Sequence, residues 1–393
     1  MLQKMFQRLD EQYENLVEIR RYLHQHPELS FQETKTAQYI ADFYRTLGVT
    51  DIRTQVGGNG VVVRIKGSKP GKTVALRADF DALPIQDEKD VPYKSTVPGV
   101  MHACGHDGHT ATLLTVAKTL YEMREELSGE YVMIHQHAEE YAPGGAISMI
   151  KDGCLDGVDV IFGTHLWSTE PTGQILYRTG PVMAAADRFK ITIQGKGGHG
   201  AYPHNSKDAV VTAAQLVINL QQIVSRKVNP TDAAVISVGK FVAENAFNVI
   251  ADKVVLEGTV RTFNEDVRDQ IEMEMERVIK GTCYTNDSTY TYEYFRGYPA
   301  LVNHSAETDF LANIAKDIPG VEEVLESPAK MGGEDFSYYL QHVKGTFFFT
   351  GARPDNIEEI IPHHHPKFDI NEKSLLLAAK TLISAAVKYQ AEV

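Results

Sequence analysis

Short apolar runs alternate with amphipathic helical segments through the first half of the chain, and this alternation limits the folds open to it. The runs GVVVRI, TVALRA, YVMIHQ and DVIFGT have the length of buried strands. The segment GHTATLLTVAKTLYEMREEL, which follows the second run, has its apolar residues at helical spacing. Because buried strands joined through helices form a mostly parallel sheet, we expect an α/β domain.

The N-terminal segment has apolar residues at helical spacing, among them Leu16 and Leu23, which predicts one helix over about the first thirty residues. Ser30 and Glu33 then have the spacing of a capping box, in which two side chains cap the backbone at a helix start. We therefore expect a second helix that follows this pair and ends at Gly48.

The pattern changes at about residue 186, where strand-like and helix-like segments follow in the order β-α-β-β-α-β. The strands are RFKITIQG, AAVISVGKFV, KVVLEGTVRTF and STYTYEYFRGYP, and the helices are DAVVTAAQLVINLQQIVSR and EDVRDQIEMEMERVIKGTC. This order is typical of a ferredoxin-like unit, which can form its own small domain. After residue 300 the first pattern resumes. We therefore expect a discontinuous domain at 1–185 and 300–393, with a ferredoxin-like domain inserted at 186–299.

Composition and charge narrow the class of protein. With 43% hydrophobic and 23% charged residues the chain is an ordinary globular protein, and 393 residues suffice for two domains. The net charge of −13 argues against a nucleic-acid partner, which requires a basic face. The chain contains neither an apolar stretch of about 18 residues nor the apolar core of a signal peptide. Since its three cysteines are sparse and odd in number, we expect a cytoplasmic protein without membrane association.

The segment MHACGHDGHT, residues 101–110, concentrates residue types that bind metals. Cys104 and His106 stand two residues apart in a glycine-containing turn before the predicted helix, so both could ligate one zinc-like ion. A second interpretation pairs Cys104, as a nucleophile, with a histidine base from elsewhere in the chain. A third is a buried cysteine beside surface histidines. The residue types at this spacing favour the metal site.

Further polar residues stand where the predicted strands end, namely Asp79, Glu139, Glu140 and His165. Ligands gather beyond the carboxyl ends of strands in open α/β sheets, so these side chains could meet. The adjacent carboxylates of Glu139 and Glu140 repel each other unless a cation intervenes. A metal ion would resolve this, with one glutamate as ligand and the other as base toward a water. The alternatives are a solvated glutamate pair in a loop and a structural His165 in the core.

Two loops contain further candidate histidines. His363, His364 and His365 precede a proline, and one of them could be a ligand, the alternative being an exposed loop. His199 lies in the glycine-rich segment QGKGGHGAYPHN, where the backbone can approach a ligand closely. A flexible hairpin with an incidental histidine explains that segment equally well.

Taken together and in this order, the motifs resemble a known family. MHACGHDGH, AEE, GTH, GKGGHGAYPH and HHPKFDINE, spread over nearly the whole chain, are similar to motifs of the dinuclear metallopeptidase family that contains aminoacylases and glutamate carboxypeptidase. RYLHQHPELSFQE, LRADFDALPI and GGEDFSYY resemble its amidohydrolase branch, which includes hippurate hydrolase, auxin-conjugate hydrolases and N-acetyldiaminopimelate deacetylase.

The resemblance implies roles for individual residues. The implied ligands of a two-metal site, filled by zinc, manganese, cobalt or nickel, are Cys104, His106, Glu140, His165 and His364. Glu139 matches the general base, and His199 matches a histidine of the smaller domain that stabilises the oxyanion, often in the partner subunit. Asn248 and Arg261 match positions associated with the substrate carboxylate. The smaller domain is also implied to act as a lid and to form a homodimer.

The sequence departs from the wider family at two positions. Arg77 stands where the family has a histidine ligand, and a guanidinium cannot ligate because it is always protonated. We therefore expect Cys104 to take that coordination position and Asp79 to orient a ligand from outside the coordination shell. His137 stands where many members of the branch have proline.

The resemblance implies a metal-dependent amidohydrolase that cleaves the amide bond of N-acyl amino acids, with Glu139 as general base. A metallo-carboxypeptidase or dipeptidase acting on small peptides is the alternative within the family. Two alternatives lie outside it: a cysteine amidase that uses Cys104, and a non-catalytic protein with a structural zinc. Closed structural zinc sites favour sets rich in cysteine, so the mixed set here argues against the last.

Overall fold

The computed structural model describes residues 1–355 and 359–391, so a small part of the expected catalytic domain lies outside the described residues. The chain forms two compact units. The first comprises Met1–Gly180, Val302–Pro328 and the described chain from Asp335 onward. The second comprises Pro181–Leu301 and the short segment Ala329–Glu334, which no sequence pattern assigns to it.

The first unit begins with three helices and three strands before helices and strands interleave, and the longer elements of the second unit follow the order β-α-β-β-α-β. The helices are α1 (Leu2–Glu11), α2 (Tyr13–Gln25), α3 (Thr34–Leu47), α4 (His106–Glu122), α5 (Ala146–Lys151), α6 (Ala209–Arg226), α7 (Glu265–Thr285), α8 (Ser305–Ala315), α9 (Phe336–Leu340) and α10 (Lys373–Lys388). The strands are β1 (Ile52–Val56), β2 (Gly60–Lys66), β3 (Lys69–Asp79), β4 (Ser128–Gln136), β5 (Val160–Trp167), β6 (Gln174–Tyr177), β7 (Gly180–Met183), β8 (Ala185–Gln194), β9 (Gly198–His199), β10 (Ala234–Val242), β11 (Val249–Ile250), β12 (Lys253–Thr262), β13 (Thr289–Phe295), β14 (Leu301–Asn303), β15 (Glu323–Glu326) and β16 (Lys344–Gly351).

A large sheet forms the centre of the first unit, with strand order β1-β2-β4-β3-β5-β16-β6-β15. Its central strands β4, β3, β5 and β16 are parallel neighbours. Every residue of β5 from Val160 to Leu166 is buried, and since successive residues point to opposite faces, the sheet is covered on both. Helices α4 and α10 pack on this region. The predicted α/β fold with a mostly parallel sheet is confirmed.

The N-terminal prediction is wrong in two details. A single helix was expected, but α1 ends at Glu11 and α2 begins at Tyr13. The capping box is not formed either, because α3 has Glu33 rather than Ser30 at its N-cap position, and the backbone N–H of Thr36 donates to the carboxylate of Glu28 at 2.8 Å. The hydroxyl of Ser30 instead donates to the carboxylate of Asp81 at 2.7 Å.

The second unit is built on a four-stranded antiparallel sheet, as far as the described residues go, with strand order β10-β12-β8-β13. Helices α6 and α7 pack on it around a core that includes Phe189, Leu216 and Ile271. The strand order and the β-α-β-β-α-β sequence of elements are those of a ferredoxin-like unit. None of the helices in residues 1–355 and 359–391 has both the length and the apolar character that a membrane crossing requires.

Candidate metal centre

The parallel strands of the first unit place the predicted polar residues at one edge of the sheet. Strand β3 ends at Asp79, whose partner in the register is Gln136, the last residue of β4. Glu139 and Glu140 follow β4 closely, and His165 lies near the end of β5. Because the carboxyl ends of parallel neighbours meet at the same edge, these side chains lie around one spot.

The turn before α4 brings Cys104 and His106 to the same edge. Gly105 between them has a φ of 94°, a left-handed conformation that glycine adopts without strain. The thiol Sγ of Cys104 lies 3.4 Å from Nε2 of His165. The ligand atoms of Cys104, His106 and His165 all lie within 4.8 Å of one another, which is close enough to share a metal ion.

The second carboxylate and the loop histidine complete the cluster. Nε2 of His364 lies 3.2 Å from Oε1 of Glu140, and these two atoms form a further potential ligand group with the thiol of Cys104. The backbone N–H of His364 donates to the carbonyl of Ala103 at 2.8 Å, which ties the loop to the turn before α4. Nε2 of His106 lies 3.9 Å from Oε1 of Glu140 and 4.0 Å from Oε2 of Glu139.

Protein oxygens orient the two histidines that point into the cluster. Nδ1 of His106 lies 3.0 Å from the carbonyl of Asp81 and 3.1 Å from its carboxylate. Nδ1 of His165 lies 2.8 Å from the carbonyl of Leu166. Metal-bound histidines usually present one nitrogen to the ion and the other to such an oxygen. Among the described residues Nε2 of His106 has no hydrogen-bond partner although it is buried, as expected for a ligand atom.

The charges around His106 also fit a cation. Burial opposes a positive charge on this ring, but Asp79, Asp81 and Glu140 outweigh that effect and raise its pKa to about 10. Such a concentration of carboxylates attracts positive charge. A thiol, imidazoles and carboxylates together form a donor set that suits a divalent transition metal, so the residues present fit the implied metal site.

Sequence comparisons assign the chain to a family. Residues 75–388 match the Peptidase family M20/M25/M40. The chain is also 65% identical over 381 residues to YhaA of Bacillus subtilis (strain 168), an alignment that covers 97% of this chain and 96% of the relative. The chain belongs to peptidase family M20/M25/M40.

Two further similar proteins have informative names. The N-acyl-L-amino acid amidohydrolase of Geobacillus stearothermophilus is 48% identical over 296 residues, which cover 75% of this chain and 80% of the relative. A Bacillus subtilis structure described as a dinuclear metal binding peptidase from the M20 family has a TM-score of 0.83 and 34% identity, covering 98% of this chain and all of that chain. The resemblance and the predicted class, a hydrolase of amide bonds, are confirmed.

His109 lies close to the candidate metal centre, but both of its ring nitrogens have other hydrogen-bond partners. Nδ1 lies 2.6 Å from Oδ1 of Asp79, and Nε2 accepts the backbone N–H of Leu166 at 2.9 Å. Since Nε2 accepts, Nδ1 must carry the proton that Asp79 receives. His109 is therefore a structural histidine that joins β3 to β5.

Arg77 lies beside the centre as a buried cation. Its guanidinium contacts Oδ2 of Asp79 at 2.6 Å and Oδ1 of Asp335 at 3.0 Å. Burial alone would raise the pKa of Asp79, but Arg77 and the neighbouring histidines hold it well below its usual range. Asp79 also lies 3.8 Å from Nε2 of His106. Arg77 thus neutralises a carboxylate next to the centre, at the position where the wider family has a ligand.

The surroundings of Cys104 disfavour the nucleophile interpretation. Burial raises the pKa of its thiol well above the usual value, and Glu140, Glu139 and Asp79 raise it further. Nucleophilic cysteines need surroundings that favour the thiolate, whereas burial and the nearby carboxylates oppose the thiolate of Cys104. A bound cation would reverse that preference, so the environment suits a metal ligand better.

The remaining predicted residues lie in the second unit. His199 on β9 pairs with Val249 on β11, and the N–H of Gly200 donates to the carbonyl of Asn248 at 2.8 Å. His199 and Asn248 are therefore close together, and both are exposed. Arg261 is on β12, half-buried, and its guanidinium contacts the carbonyl of Val260 at 3.1 Å.

Asp81 is a residue of the centre that the motif analysis does not single out. Its Oδ2 accepts the hydroxyl of Ser30 at 2.7 Å and the backbone N–H of Glu140 at 2.9 Å, while Oδ1 holds His106. It therefore aligns two of the candidate ligands at once. Its position just beyond the end of β3, two residues after Asp79, is the signal that could have identified it.

Proposed function

We propose that this M20 enzyme hydrolyses the amide bond of N-acyl amino acids and uses two divalent metal ions per chain. The observation that carries the proposal is the convergence of thiol, imidazole and carboxylate groups from separate segments of the first unit. The proposed ligands are Cys104, His106, Glu140, His165 and His364. The substrate class is supported by the relative named N-acyl-L-amino acid amidohydrolase.

Zinc, manganese, cobalt or nickel bound at these residues would polarise the amide carbonyl and lower the pKa of water nearby. The carboxylate of Glu139 lies within 4.8 Å of ligand atoms of His106 and Glu140, which is close enough for it to act on a water held at this centre. We assign Glu139 as the general base that takes the proton from the attacking water. The same carboxyl group then gives that proton to the nitrogen of the departing amino acid.

The second unit supplies the remaining proposed roles. His199 would donate a hydrogen bond to the oxyanion that forms on the amide carbonyl, which is an interaction that strengthens as the reaction proceeds. Asn248 and Arg261 would hold the carboxylate of the substrate, because an amide and a guanidinium both donate hydrogen bonds to it. The exposed neighbouring positions of His199 and Asn248 support a shared role.

We further propose a homodimer formed through the second unit, which would serve as lid and dimerisation domain. Large apolar side chains that are exposed in this unit support that role, namely Val211, Ile218, Phe241, Phe247 and Val249. A cytoplasmic location is proposed because Cys104, Cys154 and Cys283 are buried thiols without disulfide partners.

The decisive experiment compares N-acetyl and N-benzoyl amino acids with dipeptides, before and after chelation and after return of each metal. We expect hydrolysis of the N-acyl amino acids, loss of activity on chelation, and recovery with at least one metal. A preference for dipeptides would indicate the peptidase alternative. Activity that survives exhaustive chelation, with an acyl group on Cys104 in the mass spectrum, would establish the cysteine amidase instead.

Cys104→Ala should lower the metal content of the purified protein, because it removes a proposed ligand. Cys154→Ala is the matched control, since Cys154 is also a buried thiol of the first unit but does not lie in any of the ligand groups of the described residues. If both variants bind metal as the parent does, Cys104 is not a ligand.

A further inference from the structure

Two exposed aromatic side chains, Phe31 and Tyr141, lie next to each other in the first unit. Their ring centroids are 6.5 Å apart, and the rings meet edge to face at 87°. Phe31 is 45% exposed and Tyr141 is 69% exposed, so their contact with each other leaves much apolar surface in water. Neither side chain takes part in the metal cluster.

Both residues directly follow, in the chain, a residue that is hydrogen-bonded to Asp81 at the candidate metal centre. Tyr141 follows the proposed ligand Glu140 in the chain, and Phe31 follows Ser30. The hydroxyl of Ser30 and the backbone N–H of Glu140 donate to the same atom, Oδ2 of Asp81, at 2.7 Å and 2.9 Å. A single carboxylate that also holds His106 therefore fixes the position of both aromatic residues relative to the centre.

The buried ring of His137 packs against Phe31 of this pair. It is 1% exposed and lies 5.9 Å from the ring of Phe31, edge to face at 75°. A Cβ at Gly58 would lie only 2.8 Å from Nε2 of His137, so the backbone at Gly58 also packs closely against the imidazole. His137 is thus a buried and closely packed neighbour of the ring of Phe31. We call Phe31, His137 and Tyr141 the aromatic rim.

The backbone at Phe31 is held in an unfavourable conformation. Its φ is 65°, in the left-handed region that a side chain with a Cβ rarely adopts. A glycine would meet no such cost, and the exposed ring gains little from burial in return. Residues kept in such conformations cluster at functional sites, and Ala138 and His364 beside the same centre also have positive φ values. The conformation projects an aromatic ring at a point where stability alone does not require one.

We propose that the aromatic rim binds the acyl group of the substrate and makes the enzyme selective for large apolar or aromatic acyl groups over acetyl. This inference rests on the proposed function. An acyl ring or a chain of several carbons has enough apolar area to cover the exposed parts of Phe31 and Tyr141, whereas an acetyl group offers a single methyl group. An aromatic acyl group would add a ring to a pair that already meets edge to face, which is the geometry that aromatic rings prefer.

The test uses one amino acid with two acyl groups, N-acetyl and N-benzoyl, and measures kcat/KM for both. Phe31→Gly removes the ring and also removes the backbone strain, so the variant should keep the fold with an unchanged or higher melting temperature. We expect kcat/KM for the N-benzoyl substrate to fall about three- to tenfold in Phe31→Gly and in Tyr141→Ala. The N-acetyl substrate should change less than twofold, and benzoate should become a weaker product inhibitor while acetate does not change.

Tyr284→Ala is the control, because Tyr284 is an 87% exposed tyrosine on α7 in the second unit. It should leave both substrates unaffected. Equal changes for the two substrates in the rim variants, or no change for either, would overturn the proposal. If the parent enzyme hydrolyses neither substrate in any metal, the proposed function itself fails. If it hydrolyses both while the rim variants keep the parent's selectivity, only the rim proposal fails.

Discussion

Arg20 lies in a buried ion-pair network that joins two ligand-bearing segments of the first unit. Its side chain is fully buried, and its Nε lies 2.9 Å from Oδ2 of Asp107, the residue after His106. A second nitrogen lies 2.8 Å from Oδ1 of Asp369, in the segment that follows His364. Arg20→Met keeps an unbranched side chain that can fill part of the buried space but removes the guanidinium that pairs with both segments.

The expected loss in the free energy of unfolding follows from the carboxylates that lose their partner. Asp107 is fully buried and would lose its guanidinium partner, and an uncompensated buried charge of this kind costs about 3–5 kcal/mol. Nδ1 of His24 remains 2.7 Å from the same carboxylate oxygen and compensates in part. Asp369 and Glu372 have side chains that are 18% and 14% exposed, so water can reach them. We therefore expect a loss of about 3 kcal/mol, at the lower end of that range.

The chain offers a matched control in the neighbouring residue. Arg21 also pairs with Glu372, at 2.9 Å and 2.7 Å, but its side chain is 46% exposed. Arg21→Met should cost less than about 1 kcal/mol, as is usual for exposed ion pairs. Urea unfolding is followed through the fluorescence of Trp167, the single tryptophan of the sequence, whose ring lies 4.6 Å from that of His363.

The measured quantities are the free energies of unfolding of both variants and their apparent metal affinities. Arg20→Met should weaken metal binding as well as stability, because the positions of His106 and His364 depend on the same network. Equal destabilisation by the two substitutions, or a loss below about 1 kcal/mol in Arg20→Met, would refute the reasoning.

Three more predictions concern the reaction and the acid stability. Glu139→Gln should keep the metal content and lower kcat by about 10²-fold or more, because the general base is lost; near-normal turnover would reject that role. His199→Ala should lower kcat by about 10²–10³-fold without loss of metal. His204→Ala, at another exposed histidine of the second unit, should leave kcat unchanged. Burial lowers the pKa of His135 from 6.5 to about 3. Below pH 6.5 the unfolded chain therefore binds a proton at this residue that the folded chain does not bind, and the free energy of unfolding decreases as the pH falls. At pH 5 this amounts to about 2 kcal/mol. The decrease in unfolding free energy between pH 7 and pH 5 should be smaller by about that amount in His135→Gln; an equal decrease would show that His135 titrates normally.

The fold was predictable where burial leaves a pattern in the sequence. The central strands are apolar along their whole length, so both their existence and their parallel arrangement could be inferred. Strand β1 is exposed over Arg53–Gln55, and β15 is exposed or half-buried throughout, so neither has an apolar run to reveal it. The break between α1 and α2 at Gln12 likewise leaves the helical spacing of apolar residues intact and is invisible to that signal.

The site was predictable to the extent that strand ends mark it. The positions of Asp79, Glu139, Glu140 and His165 follow from the parallel sheet, since the carboxyl ends of its strands must meet. The choice of His364 among three consecutive histidines does not, because it depends on a left-handed backbone at that residue. The position of Asp81 just beyond β3 marks it as a candidate, but its hydrogen bond with Ser30, 51 residues away in the chain, has no local pattern that indicates it.

Titration of the chelated enzyme with Co²⁺ tests the central claim most directly, because absorbance reports thiolate coordination while hydrolysis of an N-acyl amino acid is measured on the same samples. We expect about two ions per chain, a thiolate-to-cobalt charge-transfer band that is absent in Cys104→Ala, and activity that rises with metal binding. Full activity without metal, or a saturated site that shows no thiolate band, would contradict the assignment of Cys104 as a ligand of a catalytic metal centre.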